Sequence, residues 1–185
     1  MDISLNRDQD NPQLVFESMN STGRELTQAD LIRNFILMGL EPQVQTALYE
    51  RYWRPMEVDF GQEAYAKHFD AFMRHYLTLK TGEIPNVREV YDAFKRYARS
   101  SGVSGVEGLV RDIRLFASYY CSMALGAEND ADLRDAFHDL RELKIDVAFS
   151  FLLDLDRDYS IGAFAKNEFL QAVRLVESYV FRRAV

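Results

Sequence analysis

The polar residues most able to do chemistry are concentrated in one segment of the sequence, residues 16–34. Asn20 and Gly23 bracket a predicted loop in it, because glycine tolerates a positive φ and ends helices. Free backbone N–H groups in such a loop are suited to hold an anion or a carbonyl group. Asp30, Arg33 and Asn34 follow on an otherwise apolar helix, so some of them must be partly buried and therefore paired. Two interpretations stay open. The polar residues form a functional site, or they have the structural role of holding the loop against the helix. The residues alone favour the structural role.

A second group of candidates is basic. Four residues recur at roughly helical spacing and would be able to contact the phosphates of DNA: Arg88, Lys95, Arg96 and Arg99. Glu89 and Asp92 dilute their charge, so an ordinary solvated helix face is the favoured alternative. We expect at most a weak DNA-binding role for these residues.

The sequence predicts neither a metal site nor a catalytic centre. Residues 154–158 begin like a calcium loop, but the Gly and the bidentate Glu that such a loop requires are missing. His68 and His75 share a helical face with only Asp70 beside them, fewer than the three or four converging ligands of a metal site. The sequence also has no phosphate-binding P-loop, no Gly-x-Ser-x-Gly elbow and no His-Glu-x-x-His motif.

Composition narrows the class of protein. The chain has 185 residues, of which 48% are hydrophobic, and its net charge is −7. This negative charge disfavours the chain as the main DNA-binding surface, because DNA binding relies on Lys and Arg to neutralise phosphates. Cys121 is the single cysteine, so no disulfide within the chain is possible. No run of about 18 uncharged apolar residues predicts a membrane span. The sequence therefore predicts a cytoplasmic protein that does not enter a membrane.

Hydrophobic spacing predicts helices nearly everywhere, and hence an all-α fold, a bundle of about seven to nine helices. Thr27 and Asp30 resemble a capping box that opens a buried helix. Pro42 is expected to begin a further helix that Pro55 ends, with Val44, Ala47, Leu48 and Tyr52 facing inward. Residues 100–105 form the best candidate linker, residues 147–155 a central core helix, and the last helix is expected to run to the end of the chain.

Residues 16–34 also carry a resemblance to a known family. They read Phe-Glu-Ser-Met-Asn-Ser-Thr-Gly-Arg-Glu-Leu-Thr-Gln-Ala-Asp-Leu-Ile-Arg-Asn. This stretch resembles the signature Phe-Glu-x-(Leu/Met)-Asn-x-x-Gly-x-x-Leu-(Ser/Thr)-x-x-Asp-Leu-Ile-Arg-Asn of GmrS-like proteins, the GmrSD-type (type IV) modification-dependent restriction endonucleases of bacteria. Three shorter stretches at 52–55, 91–94 and 179–183 are similar to later parts of the family, so the resemblance covers most of the chain.

The resemblance implies a fragment of a larger parent. The family has a ParB/sulfiredoxin-like N-terminal part, and its Asp-Gly-Gln-Gln-Arg motif for nucleotide hydrolysis and its HNH nuclease module are both missing here. We therefore expect residues 1–40 to be the C-terminal part of the GmrS-like domain and residues 41–185 to be a helical bundle region. The implied cofactor of the parent is a nucleoside triphosphate with magnesium, and none is expected in the fragment.

The function implied is that of a helical scaffold from a phage-defence protein. It would complete the nucleotide site of the parent, an NTP-dependent endonuclease of modified DNA, and link that site to the nuclease. Asn20, Gly23, Asp30, Arg33 and Asn34 would support the site. The partners would be the parent's flanking domains and, through the parent, DNA. We expect the isolated chain neither to hydrolyse GTP or ATP nor to cut DNA, and its terminal helix to allow self-association.

Two other functions remain as alternatives. The first is a stand-alone helical module for regulation or protein interaction. The second is a helix-turn-helix DNA binder, which residues 26–33 superficially resemble. The apolar character of the helix in that stretch disfavours the second alternative, because a recognition helix needs an exposed polar face to read base edges.

Overall fold

Helices follow one another along all the described residues of the computed structural model, which are 26–100, 105–144 and 146–184. They are α1 (Gln28–Leu37), α2 (Pro42–Leu48), a π-helical turn (Tyr49–Trp53), α3 (Arg54–Phe60), α4 (Gln62–Thr81), a 3-10 turn (Val87–Glu89), α5 (Val90–Ser100), α6 (Gly105–Ala124), α7 (Ala131–Glu142), α8 (Phe149–Ser160) and α9 (Lys166–Ala184). The α2, π and α3 segments are continuous and count as one helix, which gives eight, with no strand in these ranges. The all-α prediction is confirmed.

The first described helix begins where the sequence predicts. The Asp30 N–H donates to Thr27 Oγ1 at 3.1 Å, and the Thr27 hydroxyl donates to Asp30 Oδ2 at 2.9 Å. A second cap comes from a distant helix, because the Ala29 N–H donates to Asp70 Oδ1 on α4 at 2.9 Å. These bonds satisfy N–H groups that a helix start leaves without partners, and they fasten α1 to α4.

Helix α4 is the centre of the core. Phe69, fully buried, has its ring centroid 4.7 Å from that of Tyr65 and 5.6 Å from those of Trp53, Phe60 and Phe72. The hydrophobic cluster around it extends from Ala29 in α1 to Val173 in α9. Helix α1 thus packs into the same core as the later helices, and the domain division at residue 40 stays a prediction.

The prediction that Pro55 ends a helix is wrong. The chain passes through Pro55 into α3, and a π-helical turn precedes it, in which the Arg54 N–H donates to the Tyr49 carbonyl. A proline in an α-helix lacks an N–H and clashes with the carbonyl four residues earlier. The wider π turn relieves that clash, so the helix continues and Trp53 stays fully buried.

Two predictions about which side chains face inward need correction. Val44 is 47% exposed and Ala47 is exposed as well, so α2 buries only Leu48 before the π turn places Tyr52 in the core. Val147 precedes α8 and is 71% exposed, and Phe151 is also exposed. Helix α8 packs against α4, α6 and α9 with one face and leaves the other exposed, because its apolar run is longer than the stripe that its neighbours cover.

Some predictions lie outside the described residues. The loop predicted between Asn20 and Gly23 falls in residues 1–25, and the linker prediction falls mainly on residues 101–104, between α5 and α6. Among the described helices, none combines the length and the apolar character needed to cross a membrane.

Candidate functional site

Three of the five residues predicted to support a site are described, and they lie on α1. Asn20 and Gly23 fall outside the described residues. Asp30 is in the first turn of α1, and Arg33 and Asn34 follow one turn later, partly buried. Arg33 and Asn34 therefore lie on the side of α1 that shares a cleft with the helix beginning at Pro42.

Arg33 is held by carboxylates from two helices. Its Nη2 atom lies 3.1 Å from Asp30 Oδ1, and its Nη1 atom lies 3.1 Å from Glu57 Oε1 on α3. The Tyr49 hydroxyl donates to the other oxygen of Glu57 at 2.8 Å, and this hydrogen bond raises the pKa of Tyr49. The expected pairing of Asp30 with Arg33 is present. Glu57 and Tyr49 are partners that the sequence did not signal.

An open cleft of about 450 Å³ lies beside this network, which we call the Arg33 cleft. Its lining residues come from α1, α2 and the start of the π turn: Arg33, Asn34, Leu37, Met38, Pro42, Gln45, Thr46 and Tyr49. Of the described residues that line the cleft, Arg33 is one, whereas Asp30 and Glu57 are not. These two carboxylates instead hold the Arg33 guanidinium in its position at the cleft. The cleft combines an apolar wall with polar groups on a rigid helix, as small-molecule sites commonly do.

Comparison with known proteins does not place the chain. No family model, no curated protein and no solved structure matches it.

The four basic candidates do not form one continuous stripe. Arg88 is exposed in the 3-10 turn before α5, while Arg96 and Arg99 are exposed on α5 itself. Lys95 folds back on its own helix, where its Nζ atom lies 3.2 Å from Asp92 Oδ1 and 4.5 Å from the centre of the Tyr91 ring. DNA contact by these residues stays a prediction.

Two of the acidic residues that resemble a calcium loop, Asp154 and Asp158 on α8, form ion pairs with Arg157. Arg157 Nη2 lies 3.0 Å from Asp154 Oδ1 and 2.8 Å from Asp158 Oδ1. Within the described ranges no three His, Cys, Asp or Glu residues are grouped to hold a metal ion.

His75 lies in a Ser–His–Asp arrangement that the sequence did not reveal. Its Nδ1 atom is 3.3 Å from Ser150 Oγ, and its Nε2 atom is 3.5 Å from Asp146 Oδ2. Burial lowers the pKa of His75, and Asp146 opposes that shift. A neighbouring cleft of about 320 Å³ has Asp146 in its lining. Of the described residues that line this cleft, none is His75 or Ser150. A nucleophile needs access to its substrate, so this set is better explained as a clamp between α4 and the start of α8.

Asp156 carries a buried carboxyl group outside the Arg33 cleft. It is 8% exposed on α8, and burial together with the charge of Glu128 raises the pKa of its carboxyl to about 7. Burying a carboxylate without a partner is costly, so the folded protein holds this proton to a higher pH than an exposed aspartate does.

Proposed function

We propose that this chain is the helical portion of a cytoplasmic, GmrS-like restriction protein of phage defence. In that role it completes a nucleotide site of the parent and links it to a DNA nuclease module. The observation that supports the proposal most is the placement of Arg33 and Asn34, the last two residues of the signature, on the wall of an open cleft.

The network around the cleft supports the linking role. Glu57 lies at the start of the helical region and joins Arg33 of the signature by an ion pair whose two side chains are 25–30% exposed. Half-buried charge-assisted hydrogen bonds of this kind fix the relative position of two elements more firmly than exposed pairs do. In the parent, a nucleoside triphosphate with magnesium would bind beside this joint, DNA would bind elsewhere in the parent, and the chain alone would be inactive.

The first prediction tests the proposal in the full-length parent. Asn34→Ala and Arg33→Ala are expected to lower nucleotide turnover at least tenfold, about 1.4 kcal/mol of activation free energy. Asn34→Ala should leave the melting temperature nearly unchanged, because its amide has no partner among the described residues. Arg33→Ala should also cost about 1–3 kcal/mol of stability, because Glu57 loses its partner.

The matched control for that experiment is Gln43→Ala, an exposed amide on α2 outside the cleft lining. It should retain both turnover and stability. Full turnover in Asn34→Ala and Arg33→Ala would refute the proposed site, and a loss in Arg33→Ala alone that follows its melting loss would support the architectural interpretation.

One surface fits the alternative function, a stand-alone interaction module, as well as the self-association expected of a fragment. Leu175 and Tyr179, four residues apart on α9, share its outer face and are 67% and 54% exposed, whereas Val180 is buried. Exposed apolar side chains that share one helix face are typical of contact surfaces.

The second prediction tests that surface. At about 100 μM, sedimentation equilibrium is expected to detect self-association of the chain, and the double variant Leu175→Glu/Tyr179→Glu is expected to be monomeric, because charges on both partners repel. Val58→Glu, at a 70% exposed position on α3, is the control and should associate like the unaltered chain. A monomeric unaltered chain would remove the support for this alternative.

A further inference from the structure

We infer that the Arg33 cleft binds an uncharged, planar group with hydrogen-bonding edges, of which a nucleobase is the representative, and that a phosphate group binds elsewhere. This inference rests on the proposed function, because it names the part of a nucleotide that the cleft would receive. Four features of the cleft support it: its charge, its amide groups, its apolar wall and its size.

The charge of the cleft disfavours an anion. Arg33 contributes one positive charge, but Asp30 and Glu57 both lie 3.1 Å from its guanidinium and contribute two negative charges. The group as a whole therefore carries one net negative charge. A phosphate would have to displace Glu57, whose second oxygen is also bound by the Tyr49 hydroxyl at 2.8 Å. Nη1 and Nη2 of Arg33 each donate to one of these carboxylates, so only the remaining N–H groups of the guanidinium are left for an uncharged acceptor.

Two side-chain amides supply the hydrogen-bonding groups. Asn34 and Gln45 line the cleft from α1 and α2, and within the described residues neither amide has a hydrogen-bond partner. Each amide offers both a donor and an acceptor, which matches the adjacent donor and acceptor on the edge of a base. Asn and Gln side chains pair with base edges in this bidentate manner in nucleic-acid complexes.

The remaining lining residues suit a flat ring. Leu37, Met38 and Pro42 contribute apolar surface, and Tyr49 adds an aromatic ring to the lining. The thioether of methionine adapts to aromatic surfaces and makes favourable contacts with them. A volume of about 450 Å³ lies in the range of small-molecule sites and leaves room for a base with its ribose.

The third prediction is measured by NMR on this 185-residue chain. Amide resonances of α1 and α2 would be followed during titration with adenosine, guanosine, cytidine and uridine, and separately with inorganic pyrophosphate. At least one nucleoside is expected to shift the resonances around Asn34 and Gln45, with a dissociation constant on the order of 1 mM. Its affinity should change less than twofold between 50 and 300 mM salt, because no charge pairing contributes.

Variants assign the binding to the cleft. Asn34→Ala and Gln45→Ala are each expected to weaken nucleoside binding at least fivefold, whereas Gln43→Ala, on the same helix as Gln45 but outside the lining, should leave it unchanged. Pyrophosphate is expected to leave the cleft resonances unperturbed. Pyrophosphate binding at the cleft, or the absence of nucleoside binding, would overturn the inference.

Failure of this inference can be separated from failure of the proposed function. If no nucleoside binds here while Asn34→Ala still abolishes nucleotide turnover in the parent, the site stands and its ligand class is wrong. If nucleosides bind to this chain while Asn34→Ala leaves nucleotide turnover in the parent intact, the inferred ligand class is supported and the proposed role in the parent is wrong.

Discussion

Replacing Asp156 by Asn is expected to stabilise the protein at pH 8 by about 2–4 kcal/mol and to have almost no effect below pH 4. The carboxyl of Asp156 has a pKa near 7 in the folded protein, against an ordinary value of 3.8 when exposed. Each unit of difference corresponds to about 1.4 kcal/mol. Well below pH 3.8 both states hold the proton, and as pH rises from there toward 7 mainly the unfolded state releases it. Stability therefore falls across this window and levels off above it.

Urea denaturation of both proteins at unit intervals from pH 4 to pH 8 measures the effect. His75 contributes a pH dependence of opposite sign, since a buried imidazole disfavours its charged form, but it is present in both proteins and cancels in the difference. Glu128→Gln should recover part of the stability at pH 8, because Glu128 raises the pKa of Asp156. Parallel stability curves for the unaltered protein and Asp156→Asn would contradict the prediction.

Asp154→Asn is the matched control. Asp154 lies two residues earlier on the same helix, but it is 40% exposed and pairs with Arg157 at 3.0 Å. Its removal deletes an exposed ion pair, so we expect a loss within about 0.5 kcal/mol at pH 8 instead of a gain. A gain as large as that of Asp156→Asn would indicate a general effect of the helix's negative charge rather than burial.

The features that the sequence predicted correctly are those with short-range causes. The start of α1 follows from the hydrogen bonds between Thr27 and Asp30, three residues apart. The general prediction of helices from hydrophobic spacing holds in α4, whose apolar residues at that spacing are fully buried: Phe69, Phe72, Met73 and Tyr76. In both cases, the residues that determine the structure lie within two turns of one another.

The features that the sequence missed depend on how helices pack. Glu57 binds Arg33 across 24 positions of sequence, and Asp70 caps Ala29 across 41. No local pattern relates such residues, so half of the network beside the Arg33 cleft could not be predicted. The exposure of Val44 has the same origin, since it depends on whether another helix covers that face of α2, and spacing alone does not say. The Pro55 error differs, because there a rare π turn replaced the expected helix end.

Phe69→Ala is expected to cost about 3–5 kcal/mol of stability, the typical range for truncating a fully buried phenylalanine. Phe69 is 0% exposed, and four aromatic rings lie within 5.6 Å of its own, from α3, α4 and the π turn. The cavity left behind has little room to collapse, because these rings also contact one another and Tyr120 of α6, whose ring lies 5.5 Å from that of Phe72. A domain of this kind has about 5–15 kcal/mol of stability in all, so the variant should be near the edge of folding at 37 °C.

Phe151→Ala removes the same atoms from a helical position that is 55% exposed, and it should cost no more than about 0.5 kcal/mol. Thermal melting by far-UV circular dichroism compares the two. A fall in melting temperature of roughly 2–4 °C per kcal/mol for a domain of this size then predicts a loss of about 6–20 °C for Phe69→Ala and less than about 2 °C for Phe151→Ala. Equal losses in the two variants would mean that α4 is not the centre of the core, and the packing that holds α1 and the Arg33 cleft in place would have to be reassigned.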